Sequence, residues 1–262
     1  MFLPDPKYQV TLEESEEGKH FYRVEDRDGN VTVLPGVTGF LDIIGGDKTH
    51  RLMAWATSQG VEKYSQRLRD DIGKNVLIDD KWIKAVEKDA RKKPKKTKDD
   101  AADVGTRLHA AIDNYAKTNE LVTDKDVAPM LAAFVAWAKS VKAKFVVGDT
   151  KVANLYDMYA GSLDAILKID GLYYLVDYKP KLYESQAFQV AAYAQALKET
   201  YGVKVDGGMI IKIERTHPYK ITAGVVVDME EAFIGFLAAK ALFDAMKKRH
   251  LILEPLKQEA VR

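Results

Sequence analysis

The sequence predicts an α/β fold: a central mixed β-sheet flanked by helices, preceded by an N-terminal hairpin and a helical extension. Three observations predict it. From about residue 100 the patterns run helix, helix, strand, strand, strand, helix, strand, strand, helix, an order that layers helices on a sheet. Residues 7–34 alternate with period two instead. The 262 residues, 47% apolar, suffice for one elaborated domain or a domain with a small lobe.

The elements follow in order. Gln9–Leu12 and His20–Glu25 alternate as strands, and Asp28-Gly29 turns the chain into Val31–Leu34. After Pro35-Gly36 the period changes, and Thr38 is placed to cap a short helix over Gly39–Ile44. Lys48–Arg69 reads as a longer helix carrying Leu52, Trp55 and Val61. Asp79 and Asp80 open another, with Trp82, Ile83 and Val86 on one side.

The run Arg91-Lys-Lys-Pro-Lys-Lys-Thr-Lys98 holds six positive charges in eight residues. Pro94 is expected to break a helix there. The run is either a solvated connector or an arm that contacts phosphate. It ends a first unit, 1–98, the hairpin and helical lobe; a second, 99–262, is the core. Asp99, Asp100 and Asp103 then suit a helix start, and that helix runs to about Lys117. Lys125–Lys142 is helical; Lys144–Val152, Ala160–Ile169 and Leu172–Lys179 are strands. Glu184–Tyr201 is a helix, Gly208–Ile213 and Tyr219–Val227 are strands, and Glu230–His250 closes the chain as a helix.

Composition excludes several chemistries. The chain has no cysteine, hence no disulfide, no thiolate metal site, no cysteine nucleophile and no iron–sulfur cluster held by the protein. No apolar run reaches the roughly 18 residues of a membrane span, and the start lacks the charge and apolar pattern of a secretory signal. A cytoplasmic protein without a membrane partner is expected. Phosphate-loop, dinucleotide-binding and zinc-helix motifs are missing, so any ATP-driven partner is a separate chain. His20, His50, His217 and His250 show no spacing for a second metal site.

The segment from Tyr159 to Lys179 carries the chemistry. Asp170-Gly171, flanked by apolar alternation, is a strong hairpin signal. With those two residues as the loop, Ile169 faces Leu172 and Asp164 faces Asp177. Their Cβ atoms would lie about 5 Å apart. At an effective dielectric near 20, two such charges repel by about 3 kcal/mol. A divalent cation between them turns that penalty into binding, and hard oxygen donors select magnesium, manganese or calcium. Lys179, two residues past Asp177, shares its sheet face.

Asp164 followed by Asp177-Tyr178-Lys179 resembles the active-site hairpin of the PD-(D/E)XK nucleases. Gly105-Thr-Arg-Leu-His109 resembles the G-x-x-x-H helix motif of their RecB-type branch, and Gln189-Val-Ala-Ala-Tyr193 its Q-x-x-x-Y motif. Each pair has i, i+4 spacing and so shares a helix face. The likeness covers about Asp103–Tyr201. The earlier Leu34-Pro-Gly-Val-Thr-Gly-Phe-Leu41 resembles the lead-in of phage-encoded and mitochondrial members. The sequence departs from the pattern three times: Asp149 stands where a glutamate is usual, Pro180 where threonine or serine follows the lysine, and the cysteines that hold an iron–sulfur cluster in some relatives are absent.

The resemblance implies a restriction-endonuclease-like core and a metal-dependent DNA exonuclease, acting from DNA ends in recombination, repair or degradation, in a cell or in the host cytoplasm of a phage. It implies that Asp164, Asp177, His109 and the backbone carbonyl of Tyr178 hold one or two Mg2+ or Mn2+ ions, with Asp149 of uncertain role. Lys179 would orient or deprotonate the attacking water, or stabilise charge. Gln189, Tyr193 and Arg107 would touch the substrate. Trp55, Trp82 and Tyr115 offer stacking surfaces. A separate helicase or recombination protein and an oligomeric state are compatible with it. The alternatives are a non-catalytic nucleic-acid-binding protein of the same fold, a structure-specific endonuclease, and a hydrolase of small phosphoesters.

Overall fold

Alternation in the first 34 residues builds a meander, β1 (Tyr8–Glu14), β2 (His20–Asp26) and β3 (Val31–Leu34), antiparallel throughout. The structure, a computed structural model, describes residues 3–16, 20–44 and 46–247, and for 46–51 the backbone alone. The side chain of His50, and residues 248–250 of the expected final helix with His250, fall outside that description.

Helix α1 (Val37–Leu41) follows Gly36 as N-cap, with no side-chain cap bond, and passes into a 3-10 turn over Asp42–Ile44. Thr38 therefore lies inside the helix and does not cap it. Burial of Val37 and Phe40 holds this short element in place.

The largest departure from expectation is α3, one helix from Asp80 to Thr118 that runs straight through Pro94. Neither the connector at Arg91–Lys98 nor the boundary at residue 98 interrupts it. Asp79 caps its start by accepting the Trp82 N–H at 2.8 Å. Proline inside a helix costs about 3 kcal/mol and frees the carbonyl four residues back, here that of Ala90. Tertiary packing offsets this. Helix α2 (Gly46–Asp71) lies along α3, and a Cβ on Gly60 would stand 3.5 Å from the Ala90 oxygen. Thr97 donates to Gln59 at 3.3 Å, and the Trp82 indole donates to Asp71 at 2.9 Å with its ring against Tyr64. Trp82 is thus core and not a stacking surface; Tyr115 packs on Phe145, and only Trp55 of the three expected aromatics is exposed.

The main sheet has the order β10-β9-β8-β7-β4. Its members are β4 (Lys144–Val147), β7 (Ala165–Ile169), β8 (Leu172–Lys179), β9 (Gly207–Ile213) and β10 (Ile221–Val225). Only β8 and β9 pair in parallel, so the sheet is mixed, as expected. The loop between β7 and β8 is Asp170-Gly171, both with positive φ (50° and 88°), and Ile169 pairs with Leu172.

Alternation along β8 sends Leu175 to one face and Val176 and Tyr178 to the other. On the Leu175 face pack α1, α5 (Ser185–Tyr201) and α6 (Met229–Lys247); on the Tyr178 face pack α3 and α4 (Ala128–Ser140).

Two expected strands are each split in two. Lys144–Val152 becomes β4 and β5 (Thr150–Asn154), and Ala160–Ile169 becomes β6 (Tyr159–Leu163) and β7. β5 and β6 form their own two-stranded sheet. The chain leaves the main sheet at Gly148-Asp149 and re-enters it at Asp164. The meander packs on this smaller sheet through Tyr22, Val24 and Leu34 against Ala153 and Ala160. Among the described residues no helix is long and apolar enough to cross a membrane.

Candidate functional site

Asp164 is the residue at which the chain passes from β6 to β7, and its carboxylate explains the break. The antiparallel ladder ends at Ala165–Val176, so the next backbone donor on β8 lacks a ladder partner. Asp164 Oδ2 accepts the Tyr178 N–H at 2.7 Å and takes that place. The expected facing pair of aspartates is therefore not a rung of the ladder. The charge of Asp164 nonetheless acts on Asp177, adding to the rise of its pKa.

The other oxygen, Asp164 Oδ1, lies 3.2 Å from His109 Nδ1. Burial alone would lower the imidazole pKa; the Asp164 hydrogen bond and charge, with the charge of Asp177, outweigh it and hold it above 6.5. The His109 ring stands edge-on to Tyr178, centroids 5.5 Å apart.

Asp177 projects to the opposite face from Tyr178, toward α5, and is 2% exposed. Gln189 donates to its Oδ1 at 3.3 Å and to the Tyr193 hydroxyl at 3.0 Å. The Lys179 ammonium lies 2.8 Å from Asp177 Oδ2, the same-face pairing expected of a D-x-K strand. Its approach is an ion pair without hydrogen-bond alignment, so this buried oxygen keeps an unused lone pair. Burial pushes the Asp177 carboxyl up to about 6, Lys179 pulls it down, and Asp164 adds to the rise.

Three expected substrate contacts lie elsewhere. Gln189 and Tyr193 are buried beneath Asp177, 7% and 4% exposed, and orient the carboxylate from below. Burial also drives the Tyr193 pKa far up, so it stays a neutral phenol. The Tyr193 ring presses on β6: a Cβ on Gly161 would meet it at 2.2 Å. Arg107 is two residues from His109 and so on another helix face. Its guanidinium is engaged by Asp103 at 2.8 Å, Asp126 at 3.4 Å and Asp124. Asp149 pairs with Lys151 beside the site.

A pocket of about 290 Å³ opens where the two sheets part, lined by His109, Asp113, Gly148, Asp149, Asp164 and Tyr178 among others. Asp113 was not foreseen. It lies one helical turn beyond His109 on the same face, which is the signal that could have found it. One of its oxygens pairs with Lys117 at 2.5 Å. The other, Oδ1, is buried without a partner, and a Cβ on Gly148 would stand 2.0 Å from it. Arg215 was also missed. It donates to the Ala101 carbonyl at 2.7 Å, and a Cβ on Gly105 would come within 3.0 Å of its guanidinium. The glycine of the G-x-x-x-H motif thus makes room for an arginine one turn from His109.

Among the described residues no three acidic or imidazole side chains converge into a ready-made cation cage. The donors nevertheless suit a hard cation: carboxylate oxygens on Asp164 and on Asp177, the latter buried beside Lys179.

No family model matches the chain, and no curated protein matches it. Among solved structures it is similar to that of SSO0001, at 14% identity and a TM-score of 0.24, over 48% of this chain and 59% of that one. A likeness at that level decides neither fold family nor function.

Proposed function

We propose that this protein is a divalent-metal-dependent nuclease with a restriction-endonuclease-like core, hydrolysing phosphodiester bonds of DNA from an end. The observation that carries it is the pair of contacts flanking one strand junction, His109 with Asp164 and Lys179 with Asp177, where Gln189, itself bonded to Tyr193, holds Asp177 from beneath. Asp164, Asp177, His109 and the Tyr178 carbonyl would hold the ion. A bound Mg2+ or Mn2+ supplies a Lewis acid and a water of lowered pKa.

The chain's own groups do the rest. Tyr178 N–H fixes the rotamer of Asp164, and Gln189 fixes that of Asp177, so neither carboxylate needs to reorganise. Lys179 is 26% exposed at its side chain and can face both Asp177 and an incoming phosphate. Its ammonium orients the attacking water or stabilises charge on the phosphoryl oxygens. His109 and Asp164 both line the open pocket.

The test is an end-labelled digest of linear and circular DNA with Mg2+ or Mn2+, with and without chelator. Metal-dependent release of nucleotides from linear DNA, lost in Asp177→Asn and Lys179→Ala, is expected. Cleavage that persists in chelator, or a fully active Asp177→Asn protein, refutes the assignment; nicking of closed circles moves it to an endonuclease.

A further inference from the structure

Continuity of α3 through Pro94 turns a run of basic residues into one continuous helical surface. Residues 81–98 hold nine Lys or Arg and two acidic residues, +7 in a chain whose total is +1, which leaves the remainder at −6. Lys84, Lys88, Arg91, Lys95 and Lys98 follow one another at steps of four and three residues, one stripe on the helix. All five are exposed. The side of α3 that meets α2 carries Trp82, Val86, Ala90 and Thr97, so the stripe lies off the packed side. Among the described residues only Arg91 of the five has an acidic partner, Glu87 at 4.0 Å.

The same steps continue through Ala102 and Gly105 to His109. At 100° per residue, His109 lies within about 20° of Lys84 around the helix and about 37 Å along it. The gap between Lys98 and His109 has its own cation. Arg215 reaches over Gly105 from the segment after β9, with no acidic partner among the described residues. Its guanidinium donates to a backbone carbonyl, and burial lowers its pKa.

We infer that this stripe, Lys84 to Lys98 continued by Arg215, is a track for the phosphodiester backbone of DNA that leads to the His109 end of the site. A polyanion gains from such a row by releasing its counterions, about 0.7 ions per contact for a single strand and 0.9 for a duplex. An acidic protein would match the charge equally well. The stripe's run toward a candidate phosphodiesterase centre, on a molecule otherwise net negative, favours nucleic acid. The track shares its substrate with the nuclease reading but is measured by binding alone.

The experiment is fluorescence anisotropy of end-labelled single-stranded and duplex oligonucleotides across a salt series, on the full chain carrying Asp177→Asn so that nothing is cut. Against it stand Lys84→Gln, Lys88→Gln, Arg91→Gln and Lys95→Gln combined, and a control of equal charge change, Lys7→Gln, Lys139→Gln, Lys198→Gln and Lys204→Gln. All four control positions are exposed and lie off α3. Loss of four contacts lowers the slope of log K against log salt by about 3, and affinity near 100 mM salt falls more than tenfold. The control stays within about twofold. Whichever oligonucleotide shows the larger slope change names the strand form the track holds. Equal slopes and affinities for stripe and control variants overturn the inference. So does retention of anionic vesicles or an acidic polypeptide without DNA binding. DNA binding through the stripe, with no metal-dependent cleavage by the unsubstituted protein, upholds the track and rejects the nuclease. Thermal unfolding of the stripe variant should match the parent, since only the weak Arg91–Glu87 pair is lost.

Discussion

Replacing Asp177 by Asn reduces the electrostatics of the site to one quantity, stability against pH. In the folded chain burial raises the Asp177 carboxyl from 3.8 to about 6. Between those values the folded state keeps a proton that the unfolded chain has released, so stability falls as pH rises. At about 1.4 kcal/mol per pH unit the cost of charging Asp177 is about 3 kcal/mol, complete above about pH 7 and absent below about pH 3. Asn keeps the shape without the charge. The variant should lie within about 1 kcal/mol of the parent near pH 4 and exceed it by up to about 3 kcal/mol at pH 7.5, roughly 6–12 °C in Tm. Lys179 loses its partner but retains access to water, which trims the gain. Urea unfolding of both proteins in chelator from pH 4 to 8 measures the difference directly. A difference that stays flat with pH, or a parent that gains on the variant as pH rises, would show that Lys179 and Gln189 outweigh burial, and the reasoning fails. Mg2+ should then stabilise the parent and leave the variant unmoved.

His109 should titrate above 6.5 in the folded protein, and Asp164→Asn should lower its pKa, because the Asp164 hydrogen bond and charge then no longer oppose burial; imidazole NMR shifts across pH read both. Gly161→Ala drives a methyl into the Tyr193 ring and should cost about 1–3 kcal/mol in denaturant unfolding, where Gly171→Ala strains only an open turn. Pro94→Ala restores a helix donor opposite the Ala90 carbonyl and should raise stability by about 1–3 kcal/mol, with helicity by circular dichroism unchanged or higher; a loss would mean that the proline ring is itself required by the packing on α2.

Local chemistry in the sequence located much of this. Asp170-Gly171 specified its turn and the register of β7 and β8, because two adjacent positive-φ residues allow few alternatives. The 3.6 period bounded α5 within one residue, and period two placed Lys179 beside Asp177. What escaped was decided by distant parts of the chain. Pro94 reads as a breaker until Gly60 and Gln59 arrive from α2. The break at Asp164 is invisible in an alternating string, since its cause is a carboxylate that finds the Tyr178 N–H fourteen residues on. Gln189 and Tyr193 were legible as a pair on one face, but not their depth, which follows from the β6 segment at Gly161 closing over the ring.

The meander at the amino end has a bearing on chemistry that its distance in sequence conceals. Tyr22 meets Ser162 at 3.2 Å, and Gly36 bridges Ala160, both on the short strand that runs directly into Asp164. These first strands act as a splint on the segment that aims the carboxylate. Damage to the splint, by truncation or by loss of the Tyr22 hydroxyl, would misalign a group some 140 positions away while leaving every member of the reactive cluster in the chain.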